Sequence, residues 1–245
     1  MKGYQPTTFG ELHAEEYDEL HDPGTTAASV ELIADLAGDG KLFELAIGTG
    51  RVALPLVARG LDVHGLEVSE AMVAKLRQKP SGEAVPVMIG DMASFETDER
   101  YDFAFLVFNT LFNLTSQNAQ IGCFQSVARC LNKGGQFLVE TFVPDVARYE
   151  NHQNVSVKKL DAETLWLDTV THDPVNQGLN HQRIRYEQGA SKLVPLPMRY
   201  AWPSEIDLMA RLAGMKLIER WGGWHREPFT ADSKMHVSLY EKSVQ

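Results

Sequence analysis

The chain has 245 residues, of which 44% are hydrophobic and 23% charged. Those proportions are ordinary for a globular protein with a sizeable core and exclude collagen, coiled coil and wholesale disorder. Lys and Arg number 23 against 33 Asp and Glu, a formal net charge of −10. That balance repels a phosphate polymer, and Lys158-Lys159 is the only adjacent basic pair, so no nucleic-acid partner is expected.

The two cysteines, Cys123 and Cys130, lie in an expected helix. Two helical turns separate them by about 10 Å, too far for a disulfide, so a reduced, cytoplasmic protein is expected. Met1 to Gly10 has no apolar signal core. The longest uncharged stretch, 103–128, contains Asn109, Asn113, Gln117, Asn118 and Gln120, so no membrane span is expected there.

No repeat or low-complexity linker divides the chain. Residues 3–40 hold several acids and no Lys or Arg. Phe9, His13, Tyr17 and Leu20 share one helical stripe, which Pro23-Gly24 ends, and a second helix is predicted from Thr26 to Ala37. Strands and helices then alternate. Leu42–Ile47 reads as a buried strand, Gly48-Thr49-Gly50 as a turn, and Arg51–Ala58 as a helix. Strand Leu61–Glu67 is followed by a helix through Leu76 that Ser69 caps. Val85–Ile89 and Tyr101–Phe108 read as strands, Gln117–Leu131 as a helix, and Gln136–Phe142 as a fifth strand after Lys133-Gly134-Gly135. This βαβα rhythm predicts a parallel sheet with helices on both faces.

The pattern changes after Pro144. Residues 155–200 alternate polar and apolar, with turns expected at Asp173-Pro174, Asn176–Gly178 and Gln188–Ala190. Antiparallel strands forming a cover are predicted there. A helix from Pro203 to Ala213 and strands at Leu217–Trp221 and Met235–Tyr240 would complete the sheet. Four regions follow: a helical cap (1–40), an α/β core (41–143), the cover (144–202) and a C-terminal helix with the last strands (203–245).

Glu44-Leu45-Ala46-Ile47-Gly48-Thr49-Gly50 falls at a strand-to-helix turn. Glycines there admit a ligand close to the backbone, and the helix start offers free N–H groups. Glu67 ends the next strand, 19 residues after Gly48. A carboxylate at that place can accept both hydroxyls of a ribose. These features fit NAD as well as any other nucleoside cofactor. They do not fit a P-loop, since no Gly-Lys-Ser/Thr follows.

The chain resembles the class I S-adenosylmethionine-dependent methyltransferases over most of its length. Glu44 to Gly50 is similar to the family's first motif. Gly65-Leu66-Glu67-Val68-Ser69-Glu70-Ala71-Met72 is similar to the second, whose acid holds the ribose. Gly90-Asp91-Met92-Ala93 resembles the third, whose acid meets the adenine amino group while its neighbour packs on the ring. Val107-Phe108-Asn109-Thr110 resembles the family's methyl-facing edge. The resemblance implies an α/β Rossmann-like sheet of seven mostly parallel strands. It also implies S-adenosylmethionine as cofactor and S-adenosylhomocysteine as product. The cofactor-binding residues implied are Tyr17, Glu44, Ala46, Gly48, Thr49, Gly50, Arg51, Glu67, Val68, Met72, Asp91, Met92, Ala93 and Phe108. Two departures stand out. Ala46 occupies a place where the family often has glycine. Residues 3–40 lack the arginine that often meets the cofactor carboxylate, leaving Lys2, Arg51, the Tyr17 hydroxyl or backbone N–H groups to serve.

Methyl transfer is a displacement at a sulfonium, so a dry, oriented site helps more than a strong catalytic acid. Glu15-Glu16-Tyr17-Asp18 resembles the segment of amino-sugar N-methyltransferases in which a tyrosine borders the cofactor methyl and the substrate. Tyr17 and Asn109 are therefore the expected catalytic residues, and His13, Phe112, Asn113 and Arg199 the expected substrate contacts. Five of these have a plainer alternative: core packing for Tyr17 and His13, turn chemistry for Asn109 and Asn113, and a tie between cover and sheet for Arg199. Asn113 falls about where the amino-sugar enzymes place a histidine, and asparagine cannot act as a base at neutral pH. The aromatic group Trp221, Trp224 and His225 reads as core or interface before it reads as an acceptor wall. The eight histidines show no His-x-x-x-His, there is no Cys-x-x-Cys, and no acid follows the fourth strand before Glu140. A metal-independent reaction is expected.

The sequence thus predicts a cytoplasmic methyltransferase acting on a small molecule, with an amine nitrogen favoured over an oxygen acceptor. No membrane partner is expected, and a homodimer is the default oligomer. A non-catalytic binder of the same cofactor and an NAD-dependent oxidoreductase are the competing readings.

Overall fold

A computed structural model of the chain describes residues 1–187 and 189–243. Gln188, first residue of the third turn expected in the cover, lies outside them. Three helices come first: α1 (Thr8–His13), α2 (Tyr17–Leu20) and α3 (Thr26–Ala37). The single stripe expected over residues 9–20 is thus two helices. Glu16 sits at φ −108° and ψ 2°, outside the helical well, and breaks the run.

The core then alternates β1 (Leu42–Leu45), α4 (Ala53–Ala58), β2 (Val63–Glu67), α5 (Glu70–Arg77), β3 (Val87–Ile89), β4 (Tyr101–Leu106), α6 (Gln117–Cys130) and β5 (Leu131–Phe142). β1 and β4 both stop short of their predicted ends. Ala46 (φ 52°), Phe108 (φ 60°) and Asn109 (φ 62°) turn the chain into the left-handed region. The cover follows as β6 (Gln153–Leu160), β7 (Thr164–Asp173), β8 (Gly178–Glu187) and β9 (Ala190–Arg199), and α7 (Pro203–Leu212), β10 (Met215–Trp221) and β11 (Met235–Lys242) close the chain.

The main sheet has seven strands in the order β10-β11-β5-β4-β1-β2-β3. β4–β1, β1–β2, β2–β3 and β4–β5 pair in parallel, and β11 pairs antiparallel with β5 and β10. The strand order reverses between β1 and β4. In open α/β sheets the carboxyl ends of the strands form a ligand crevice at such a point. Alternate residues of each strand bury on opposite faces. Phe43, Leu45, Ala104 and Phe137 pack with Phe124 of α6 on one face. Leu42, Phe103, Phe105 and Leu138 pack with Leu56 of α4 on the other. Each such large side chain contributes roughly 1.5–3 kcal/mol on burial. Trp221 and Trp224 belong to this second core layer.

The cover is a separate four-stranded antiparallel sheet in the order β6-β7-β8-β9. The β7–β8 hairpin sets Asp168 opposite Arg183 and Val170 opposite His181. The inner face carries Asp168, His181, Arg183 and, on β9, Val194, Leu196 and Met198. Cys123 and Cys130 are buried free thiols. Among the described residues no helix is long and apolar enough to cross a membrane.

Candidate active site

A cavity of about 720 Å³ lies over the carboxyl ends of the main sheet. Its sheet side is built from Ala46, Gly48, Glu67, Val68, Met72, Asp91, Met92, Ala93, Phe108, Asn109 and Asn113. The N-terminal segment supplies Tyr4, Phe9, Gly10, Tyr17 and His21, and the cover supplies Lys158, Asp168, His181, Arg183, Val194, Leu196 and Met198. The cavity is therefore walled by three parts of the chain that are distant in sequence.

Glu67 is its most constrained acid. Oε2 accepts from the Gly48 N–H at 2.9 Å, and Oε1 accepts from the Val68 and Ser69 N–H groups at 3.0 and 2.9 Å. Burial pushes its carboxyl pKa up, and the three N–H bonds oppose that shift. Ser69 caps α5, its Oγ accepting from the Met72 N–H. Glu44, one strand inward, is buried with Oε2 unpartnered among the described residues. Burial raises its pKa from the ordinary 4.5 to about 8. Asp91 Oδ1 accepts from the Ala93 N–H at 2.8 Å, fixing the loop after β3.

The loop after β4 is held from β5. The Phe108 N–H donates to Glu140 Oε2, and Asn109 Oδ1 accepts from the Phe142 N–H, both at 2.5 Å. Thr110 Oγ1 donates to the Val107 carbonyl at 2.7 Å. These bonds keep two non-glycine residues at positive φ on the cavity wall, a strained geometry of a kind that concentrates at functional sites.

Above this floor, Tyr17 and His21 stack with ring centroids 4.9 Å apart and planes 10° apart. Burial raises the Tyr17 phenol pKa, with Arg51 opposing, so Tyr17 is a neutral hydroxyl at physiological pH. Burial and the nearby Arg183 lower the His21 pKa, which keeps its imidazole neutral. Three acids of the same segment hold separate parts of the molecule. Glu15 pairs with Lys75 of α5. Glu16 accepts from Arg185 and Lys192 of the cover at 2.8 and 3.2 Å. Asp18 accepts from Thr49 Oγ1 and pairs with Lys79, both at 2.6 Å.

Several expected site residues stand elsewhere. His13 is fully buried behind the wall against Phe9 (4.6 Å between centroids), and burial lowers its pKa to about 4. Phe112 is fully buried in the core, edge-on to Phe142, which takes the cavity face instead. Arg199 ties the cover down: its guanidinium donates to Gln120 Oε1, Gln177 Oε1 and Glu205 Oε1 at 2.7, 2.9 and 2.7 Å. Glu44, Thr49, Gly50 and Arg51 also lie behind the lining. Arg51 donates to Thr26 Oγ1 at 2.8 Å and sits 5.0 Å from the Phe108 ring centroid. Conversely, sequence reasoning missed His21 and the Asp168–Arg183–His181 group. His21 follows Tyr17 at the helical spacing of four, and the expected turn at 173–178 already sets Asp168 opposite Arg183.

Residues 42–135 match the family description "Methyltransferase domain". The solved structure of the CcbJ methyltransferase from Streptomyces caelestis is 37% identical, covers 98% of this chain and 100% of its own, and superposes with a TM-score of 0.92. The chain belongs to the class I S-adenosylmethionine-dependent methyltransferases. A cypemycin N-terminal methyltransferase of a Streptomyces species is 26% identical, over 97% of this chain and 98% of its own. The S-adenosylmethionine-bound structure of CalS10, an amino pentose methyltransferase from Micromonospora echinaspora, shares the fold at 16% identity, 99% coverage of both chains and a TM-score of 0.68.

The residues of this methyltransferase fit its cofactor, S-adenosylmethionine. A carboxylate offers about four lone-pair sites, so Glu67, with three used by N–H groups, retains one site for a ribose hydroxyl. Asp91, Met92 and Ala93 line the wall beside Glu67 and would receive the adenine. Gly48, at φ 57°, has no side chain between backbone and cavity. With the donor bound, the site supplies an electrophilic methyl group for transfer.

Proposed function

We propose that this methyltransferase transfers the methyl group to an amine nitrogen of a small molecule held between the β4–β5 loops and the cover. The observation that carries the reading is the pairing of Tyr17 and His21 on the cavity wall, both kept uncharged. An amine needs only a hydrogen-bonding partner that orients its lone pair and a neutral group to take its surplus proton. The Tyr17 hydroxyl supplies the first and the His21 imidazole the second. Asn109 holds the floor of the acceptor half through Phe142, and Asn113 lines the same space. The cypemycin N-terminal methyltransferase, named for an N-terminal acceptor, supports the choice of amine over hydroxyl. In this reading the enzyme works in the cytoplasm, where the thiols of Cys123 and Cys130 stay reduced.

The test is turnover on matched acceptors: primary and secondary amines against the phenols and alcohols of the same skeleton, followed by S-adenosylhomocysteine formation. Amines are expected to exceed their hydroxyl partners at least tenfold in kcat/KM. Preference for the hydroxyl members would overturn the reading.

A further inference from the structure

The cover brings a fixed positive group to the acceptor half of the cavity, in a chain whose formal charge is −10. Arg183 lines the cavity and is gripped by Asp168: Nε donates to Oδ1 at 2.7 Å and Nη2 to Oδ2 at 3.1 Å. That fork uses one edge of the guanidinium. Nη1 has no partner among the described residues. Lys158 Nζ lies 3.6 Å from Asp168 Oδ2, and His181 Nε2 lies 3.3 Å from Oδ1, both residues lining the same cavity. One carboxylate is thus surrounded by two permanent cations and an imidazole. Glu67 and Asp91, the other acids on the lining, belong to the sheet side.

A partly buried ion pair contributes little net stability compared with a well-packed apolar pair. Its place in a cavity wall, with one donor edge turned away from its partner, is the arrangement that orients a guanidinium toward an anion. Val194 and Leu196 stand next to this group on β9, with Val194 directly opposite Arg183. The neighbouring surface is therefore apolar.

We propose that Arg183, positioned by Asp168 and assisted by Lys158, receives an anionic oxygen group, a carboxylate or phosphate, on the acceptor. The substrate class is then an amine that also carries an anionic group on an apolar framework. Only the word amine rests on the function proposed above.

The test is calorimetric titration of the S-adenosylhomocysteine complex with hexanoate, hexyl phosphate and hexanamide. Both anions, or one of them, should bind at least tenfold tighter than the amide, and the tighter anion identifies the group. R183M should bring all three within about twofold of one another while S-adenosylhomocysteine affinity stays within threefold. Should R183M lose S-adenosylhomocysteine binding, K158M at a half-exposed position carries the test, with a partial loss of the preference expected. Equal binding of the three ligands, no binding of any, or a preference retained in full by the variants would overturn the proposal. None of these readouts involves turnover, so a failure of amine methylation leaves a distinct signature.

Discussion

The Glu67 carboxylate accepts a hydrogen bond from the Gly48 N–H at 2.9 Å, joining the end of β2 to the turn after β1. One side chain therefore fixes the glycine turn and also faces the cavity. Glu67→Ala removes both roles. Charge-assisted hydrogen bonds of this kind contribute about 1.5–3 kcal/mol, so S-adenosylhomocysteine affinity should fall about 10- to 100-fold. Titration calorimetry measures it, and Glu67→Gln, which keeps an acceptor oxygen, should lose less.

Ala46 sits at φ 52°, where a side chain is strained by about 1–2 kcal/mol. Ala46→Gly should relieve the strain, partly offset by greater freedom of the unfolded chain. The expected result in chemical denaturation is a gain of about 0–1 kcal/mol with an unchanged m-value. A loss above 1 kcal/mol would show that Ala46 packs favourably.

Gly10 lets α1 lie against the start of α5. A Cβ there would overlap the Ser69 side chain and stand 3.1 Å from Met72 Cγ. Gly10→Ala should cost about 1–3 kcal/mol by overpacking and lift α1 from the cavity. Thermal unfolding reports the first effect. Faster proteolysis near the N-terminus, with KM for the acceptor raised more than kcat is lowered, reports the second.

Glu44 sets the alkaline side of the stability profile. Its folded pKa, about 8, exceeds the ordinary 4.5, so the folded state holds the proton more tightly between those values. Stability is full below about 4.5 and falls as pH rises toward 8, by at most about 1.4 kcal/mol per pH unit. His13, lowered to about 4, acts oppositely: stability is lost as pH falls from 6.5 toward 4. Glu44→Gln should flatten the decline between pH 6 and 8 and leave the acid limb intact. Melting temperatures across pH 4–9 for both proteins check this, and an unchanged alkaline slope would remove Glu44 from the account.

Tyr17→Phe keeps the ring that stacks on His21 and deletes only the hydroxyl. Cofactor affinity should stay within about threefold while kcat falls at least tenfold, about 1.4 kcal/mol of transition-state stabilisation. Activity within twofold of wild type would leave Tyr17 a packing residue.

The strand-end residues of the site were legible because they are local. Gly48, Asp91 and Phe108 each follow a strand and Glu67 ends one, at spacings that the βαβ rhythm dictates, and all four line the cavity. What failed was non-local. The stripe holding His13 and Tyr17 gave no sign of the break at Glu16, which turns His13 into the core and His21 onto the wall. Arg199 and Arg183 both lie on cover strands. Only the docking of that sheet decides that Arg199 meets Gln120 and Glu205 while Arg183 meets the cavity. Phe112 and Phe142 exchanged places for the same reason: a short turn after β4 directs one ring inward and leaves the other exposed to the site.

Methyl transfer to nitrogen in this cavity is tested by where a labelled methyl arrives. S-adenosylmethionine carrying a 13C-methyl group would be incubated with enzyme and amino alcohols that offer both acceptor atoms in one molecule. Carbon–proton correlation spectra of the product distinguish N-methyl from O-methyl. The label is expected on nitrogen, with loss of product formation in Tyr17→Phe. Label on oxygen in the same molecules would contradict that expectation.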